Sequence, residues 1–525
     1  MKTSLNQILA IFAIATSLVA CTKTEVESTL TADITNIKDV DAQNPSAVAV
    51  SISSNVNWII QAPKWVKPSE TFGSGNSIVT FTFDPNFTDA ETTVQPRSGE
   101  IKISGGGTLN GNGATLMIPV SQLGFTYVDT GEPLGGIPSA KQFVKFIKAA
   151  STGSAVTRWM DANNEVVLLD NIDLGQVTNA EWQALVAEAT NGNNDCTLTS
   201  AFEGIFNGNG FKITNFNPEV VLAANNTFGL FPVISGATIK NVELSGMMTV
   251  SATGQADAGM LVGTALNSTI KDVIVNGKII SPGTTASSRF ATGGVCGFIC
   301  SKEDNNSLIE NCTSNVEAEV IGGTNSANGA GAAQYGGIVG FSTYNKKSGK
   351  VTISNCTNNG NMKVTLGRCS GIVATPNGGS IITDCVNNGD QVNSIADGRL
   401  GNICCVIGQD GKIINCVNNG NLEANAYTTG GTAAGIAAML NHNSVIMEGG
   451  ANYGTIKSSR ADGELTGLLV ANFSKFASVK NVVVSGGLVI NGAAIDINAS
   501  NYMQYIGKYT DATNITGLSW EDPKN

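Results

Sequence analysis

Eleven cysteines and a single histidine bound the chemistry open to this chain of 525 residues. One His argues against a multi-His metal site and against His-based proton transfer. Cys312, Cys356, Cys385 and Cys416 recur behind an Ile-x-(Asn/Asp) lead, and Cys296, Cys300, Cys369, Cys404 and Cys405 sit in or beside Gly-aliphatic stretches. A metal centre needs converging ligands, such as a Cys-x-x-Cys pair, and the chain has none. Buried free thiols are therefore expected, with no metal and no cofactor. The charges of the second half, Arg289, Lys302, Glu303, Asp304, Arg368, Asp384, Asp397, Arg399 and Asp410, are scattered. They read as solvated coil-edge charges, not as an acid–base pair. His442 reads as a turn residue between Asn441 and Asn443. No catalytic residue is expected. The aromatics are the better candidates for binding: Trp58, Trp65, Tyr335, Tyr344 and Tyr427 supply faces on which a sugar ring stacks.

The charge balance narrows the partner. Lys plus Arg is 30 and Asp plus Glu is 41, a net charge of −11. That leaves no surplus of cations to displace the counterions of a nucleic acid. Hydrophobic residues make up 42% of the chain and there are 61 glycines, a composition for stacked β-structure with tight turns and not for disorder.

The N-terminus carries Lys2 and an apolar run from Ile8 to Ala20. That run is shorter than the roughly 20 residues a spanning helix needs, and fits the core of a signal peptide. Its end, Leu18-Val19-Ala20-Cys21, resembles a bacterial lipobox. The resemblance implies removal of residues 1–20, acylation of Cys21 and a lipid anchor in the membrane, with 21–29 as tether. Glu25 and Glu27 resemble, in interrupted form, the surface-export signal of Bacteroidetes lipoproteins. That implies an outer-membrane protein facing the cell exterior, with the periplasmic face as the alternative.

Residues 30–124 read as an all-β sandwich: short β-branched runs such as Ala47–Ile52 and Ile78–Phe83 are punctuated by Pro, Asn and Gly. Asn57-Trp58, Lys64-Trp65-Val66-Lys67-Pro68, Arg97-Ser98-Gly99-Glu100-Ile101 and Val120-Ser121-Gln122-Leu123-Gly124 together resemble the BACON module. The resemblance implies an immunoglobulin-like sandwich and sugar binding, with a spacer role as the alternative. Residues 125–138 read as a linker. Residues 139–200 read as a helical cap with an entry strand: Ser139 precedes Phe143, Phe146, Ile147 and Ala150 at helical spacing, and a second helical face runs from Thr178 to Thr190.

Residues 201–490 repeat. Ile239, Ile270, Ile309, Ile353, Ile382, Ile413, Met447 and Val479 each open an aliphatic-x-(Asn/Asp)-(Cys/Val) motif, degenerate at Met447, in steps of 29 to 44 residues. A Gly-aliphatic motif keeps the same beat at Gly229, Gly259, Gly294, Gly337, Gly371, Asn402, Gly435 and Gly467. A third Gly recurs at Gly246, Gly277, Gly360, Gly389, Gly420, Gly454 and Gly486, where Asn-Gly and Ser-Gly pairs suggest turns of positive φ. A strand, a turn, a second strand and a return make one coil of a parallel β-helix, with 491–525 as its C-terminal cap. Phe202 to Ile213 and Gly229-Leu230-Phe231 resemble the entry coils of GLUG-type repeats. Pectate lyase-like and polygalacturonase-like enzymes share the β-helix, but the clustered carboxylates they need are not evident here.

The sequence thus describes an all-β, non-catalytic cell-surface lipoprotein in which a β-helix binds glycan or another surface ligand. An adhesin that binds a protein partner is the alternative, and a polysaccharide lyase or hydrolase is third. Growth with a labelled fatty acid checks the anchor: the intact chain takes up label and a Cys21→Ala variant does not. Equal label on both chains removes the lipobox reading.

Overall fold

The computed structural model describes residues 27–522, apart from 88–92, 107–112, 127–130, 192–195, 199, 282–288, 303, 321–332, 345–348, 366, 394–397, 426–430, 461–464, 474–476 and 509–513. Cys21 and the segment around it lie outside the described residues. The chain forms two units, 1–129 and 130–525.

In the first unit the period-two alternation does what it predicts. Val48–Ser54 and Ser77–Phe83 bury every second side chain. Four strands, in the order Leu30–Ala32, Val48–Ser54, Ser77–Phe83 and Val66–Pro68, make one sheet. Five strands, in the order Ile37–Val40, Ala114–Gln122, Arg97–Gly105, Asn57–Gln61 and Phe72–Ser74, make the other. Val50, Ile52, Trp58, Ile60, Phe81, Ile101 and Ile118 close the core of the sandwich. The two motifs at Arg97 and Gln122 meet, because these residues are directly paired across adjacent strands. Arg97 Nε donates to Gln122 Oε1 at 2.9 Å, and its guanidinium lies 4.7 Å from the centre of the Trp65 ring.

The second unit is a parallel β-solenoid of about eight turns. Three parallel faces wrap its core, with 27, 10 and 8 strands in their sheets. One coil runs Ser380–Thr383, Val386–Asn387 and Gln391–Asn393 on the first face, Arg399–Gly401 on the second and Cys404–Ile407 on the third. The aliphatic motif is in register from coil to coil: Ile239 pairs with Ile270, Ile270 with Ile309, Ile309 with Ile353, Ile353 with Ile382 and Ile382 with Ile413. Pairing continues at both ends, to Glu165–Val167 and to Ile515–Thr516, so the stack extends past 201–490.

Both glycine readings change. The bend of positive φ lies at the Asn/Asp of the first motif: Asn241, Asp272, Asn311, Asn355, Asp384, Asn415 and Asn481 all lie between 51° and 55°. Asn and Asp tolerate that region best among non-glycine residues. The degenerate copy keeps the bend with Gly449 at φ 67°. The third glycine is needed mainly for closeness. A Cβ on Gly389 would meet Gly360 O at 2.0 Å, one on Gly420 would meet Gly389 O at 2.1 Å, and one on Gly454 would meet Gly420 O at 2.0 Å. In the Gly-aliphatic motif, Gly259 pairs with Gly293 and not with Gly294, and Ala434 pairs with Gly467. Runs such as Gly293-Gly294 permit two alignments one residue apart, and only backbone pairing chooses between them.

Inside the corner, Asn358, Asn387, Asn418 and Asn452 form a buried amide ladder. Asn418 uses its whole capacity. Its Nδ2 donates to Gly420 O and to Asn452 Oδ1, both at 2.8 Å, while its Oδ1 accepts from Asn387 Nδ2 at 2.9 Å and from the Gly420 N–H at 3.2 Å. The side chain thereby supplies bonds that the broken strand gives up at its corner. A second ladder, Asn315, Asn359, Asn388 and Asn419, runs along the outside.

The cap differs from its sequence reading in one element. Ser139 caps the helix Ala140–Ser151, which buries Phe143, Phe146, Ile147 and Ala150. The second helix, however, is only Asn179–Gln183, capped by Thr178 with Glu181 reaching back. Ala187–Asn191 is a strand, antiparallel to Asn226–Phe228. The open edge of the first coil recruits this segment as a strand, and tertiary pairing outweighs its helical period.

Replacing Asn418 by Ala leaves buried partners unpaired and should cost about 2–4 kcal/mol. The outer Asn419→Ala should cost under about 1 kcal/mol. Gly420→Ala should resemble the first variant, because the clash is with backbone. Thermal midpoints of the three variants check this ranking.

Candidate functional site

The aromatic candidates divide by burial. Trp58 is 1% exposed, donates Nε1 to Gly75 O at 3.0 Å and packs on Gly73, where a Cβ would lie 2.2 Å from the ring. Tyr335 is fully buried in the solenoid core. Tyr335 is therefore packed in the core and does not reach the surface, which corrects its reading as a contact, whereas the Trp58 ring, though nearly buried, backs a shallow depression that Ile59 and Phe72 also line. Trp65 is half-buried, between Arg97 and Phe83. Tyr344 ends the strand Val339–Tyr344, with its side chain outside the described residues, and Tyr427 lies outside them altogether. The sequence reading passed over Phe72, which is 74% exposed and sits opposite the exposed Ile59 on the sandwich's outer face. Its Phe-Gly-Ser context resembles any edge-strand turn.

The thiols take the inward role expected of them. Cys312, Cys356, Cys385 and Cys416 are buried and free. Each Sγ lies 3.2–3.4 Å from the carbonyl oxygen two residues earlier, at Glu310, Ser354, Thr383 and Ile414. Burial pushes the Cys356, Cys385 and Cys416 thiols well up, and Cys405 to about 12. A thiol held protonated is a poor nucleophile and a poor metal ligand. Among the described residues no group of three or more His, Cys, Asp or Glu is placed to hold a metal ion.

The carboxylates are held in their charged form wherever their environment moves them. A hydrogen bond from Lys240, then one from Asn207, pulls Glu165 down, and the Lys240 Nζ lies 2.6 Å from Glu165 Oε1. Asp173 is lowered by Asn215 and by the Gly175 N–H. A general acid needs the opposite shift. His442 Nδ1 accepts the Ser444 N–H at 3.2 Å and lies 2.9 Å from Ser444 Oγ, so the ring closes its own turn.

Two arginines depart from their reading as solvated charges: Arg289 and Arg368 are 5% and 8% exposed. Arg289 donates to both Asp257 carboxylate oxygens, at 3.0 and 3.2 Å, and stacks on Phe298 and Phe341. No sequence signal distinguishes them, because burial on this face depends on how the second and third faces meet.

The first face carries a shallow depression of about 400 Å³ near its C-terminal end. Glu423, Asn425, Lys457, Ser459 and Asn491 border it, with Val489 as its apolar patch. Strand register brings Glu423, Lys457 and Val489 into one column. Asn425 Nδ2 donates to Glu423 Oε1 at 2.8 Å, and Lys457 Nζ lies 3.8 Å from Glu423 Oε2. The result is an acid, an amide, an amine and a hydroxyl on a rigid floor, the kind of polar set that meets sugar hydroxyls.

No sequence model of a protein family matches the chain, and no curated protein matches it significantly. Among solved structures it is similar to a putative immunoglobulin A1 protease from Bacteroides ovatus: 16% identity over 75% of this chain and 85% of that one, TM-score 0.35. An IgA1 protease is 14% identical over 83% of this chain and 26% of that one, TM-score 0.34. A Bacteroides ovatus GH5 xyloglucanase, solved with a XXXG heptasaccharide, is 21% identical over 22% of each chain, TM-score 0.15. At these identities and scores the activities of those proteins are not carried to this one.

Proposed function

We propose that this chain is a lipid-anchored, non-catalytic protein of the outer membrane, facing the cell exterior, that binds glycan through its β-helix. The depression at Glu423, Asn425 and Lys457 carries the reading, because it gathers hydrogen-bonding groups of both kinds on a floor that the stack holds still. The downward shifts of Glu165 and Asp173 and the buried thiols support binding over catalysis. The sandwich, with the BACON-like motifs at Arg97 and Gln122, serves as the spacer between anchor and β-helix. A second reading, an adhesin for a protein partner, is favoured by one observation: Phe72 and Ile59 form an exposed apolar pair on the sandwich.

A glycan array probed with the full mature chain and two variants separates these readings. Glycan binding should fall at least fivefold in Asn425→Ala and stay within twofold in Phe72→Ala. Loss confined to Phe72→Ala moves the site to the sandwich. No binding by the unmutated chain removes the glycan reading and leaves the adhesin.

A further inference from the structure

On the second face, Arg368 and Arg399 occupy one column in adjacent coils, directly paired through their backbones. They flank Cys369 and Leu400, which point into the main core, so the two guanidiniums leave the opposite side of the sheet. That side turns toward the third face. Arg368 NH1 crosses to Thr375 Oγ1 at 3.1 Å, and Cys405, Val406 and Ala438 form a small apolar cluster of their own outside the main core. A re-entrant angle between two sheets therefore holds two stacked cations beside an apolar wall.

Among the described residues no carboxylate answers their charge. Among the described residues neither arginine forms an ion pair, Arg399 makes no side-chain hydrogen bond, and the buried Arg368 Nε has no partner. Arg289 differs in its charge partner: its Nε and NH1 also lack hydrogen bonds, but NH2 meets both oxygens of Asp257 and the guanidinium lies on two phenyl faces. Burying an unpaired cation is costly, and two like charges one coil apart raise the cost. Burial, and then the Arg399 charge, lower Arg368 to about 10, the direction that unmet positive charge produces. A chain with eleven more acids than bases has no shortage of carboxylates to place here. Arginine forks match the oxygens of carboxylates and sulfates in two-point contact.

We infer that Arg368 and Arg399, with Thr375 beside them, form an oxyanion site that takes the carboxylate or sulfate of an acidic polysaccharide. The site lies on different faces of the coil from the depression at Glu423. Only the source of its oxyanion rests on the glycan reading.

The test uses the full mature chain with three polymers: polygalacturonate as carboxylate, dextran sulfate as sulfate ester and dextran as the neutral control. Sodium sulfate is titrated separately against the melting temperature. The charged polymer that binds more tightly identifies the oxyanion. At least one should bind tenfold or more tightly than dextran, and Arg399→Gln should lose that margin. Arg368→Met is the second variant; should it fail to fold, the less buried Arg399 carries the test. Equal affinity for dextran and both charged polymers overturns the inference, as does a folded Arg399→Gln that keeps the preference. Dextran binding insensitive to both variants leaves the glycan reading and removes this site. A melting temperature raised by sulfate in the unmutated chain but not in Arg399→Gln, with no polymer bound, keeps the oxyanion site and removes the acidic polysaccharide as its ligand.

Discussion

The closest approach in the solenoid is backbone to backbone. At the first-face corner a methyl on Gly360, Gly389, Gly420 or Gly454 would strike a carbonyl oxygen of the preceding coil at about 2 Å. Strand pairing sets the pitch, and at these positions only glycine fits it. Once Gly360, Gly389, Gly420 and Gly454 stack without side chains, the asparagines two residues earlier come within hydrogen-bond distance of one another. The amide ladder then satisfies a corner that would otherwise bury orphaned polar groups. The thiols at Cys356, Cys385 and Cys416 face carbonyls for the same reason: a fixed pitch leaves every inward position the same neighbours at each level.

Much of this order was readable in the residues. The Ile-x-(Asn/Asp)-Cys beat gave the coil, its register and its inward column, because identical positions in a stack meet identical demands. The sandwich strands followed from alternation. What escaped the sequence was relative placement across faces. A Gly-Gly pair does not say which glycine aligns, and a helical period at Ala187 does not reveal an unpaired edge waiting at Asn226. Arg368 and Arg399 looked like coil-edge charges because the linear pattern carries no sign that the second and third faces close on each other. Trp58 and Tyr335 looked available for the same reason: burial belongs to the assembled layer and not to the residue type.

The depression at Glu423 and the paired arginines arise from one device. Parallel stacking repeats a side-chain position about every 4.8 Å, so residues 31 to 34 apart in the chain become neighbours on a surface. The Arg368–Arg399 and Glu423–Lys457 pairs are both one coil step. A binding surface on such a scaffold is edited one level at a time, since a change in one coil leaves the columns above and below in place.

The buried thiols have a consequence for how the chain matures. Oxidising compartments turn exposed cysteines into disulfides. Among the described residues nine free thiols are buried in the folded state. Before the coils stack, those same sulfurs are exposed, and any that ionise can react as thiolate nucleophiles. Stacking is therefore also protection: each coil that docks withdraws its own sulfur from solvent.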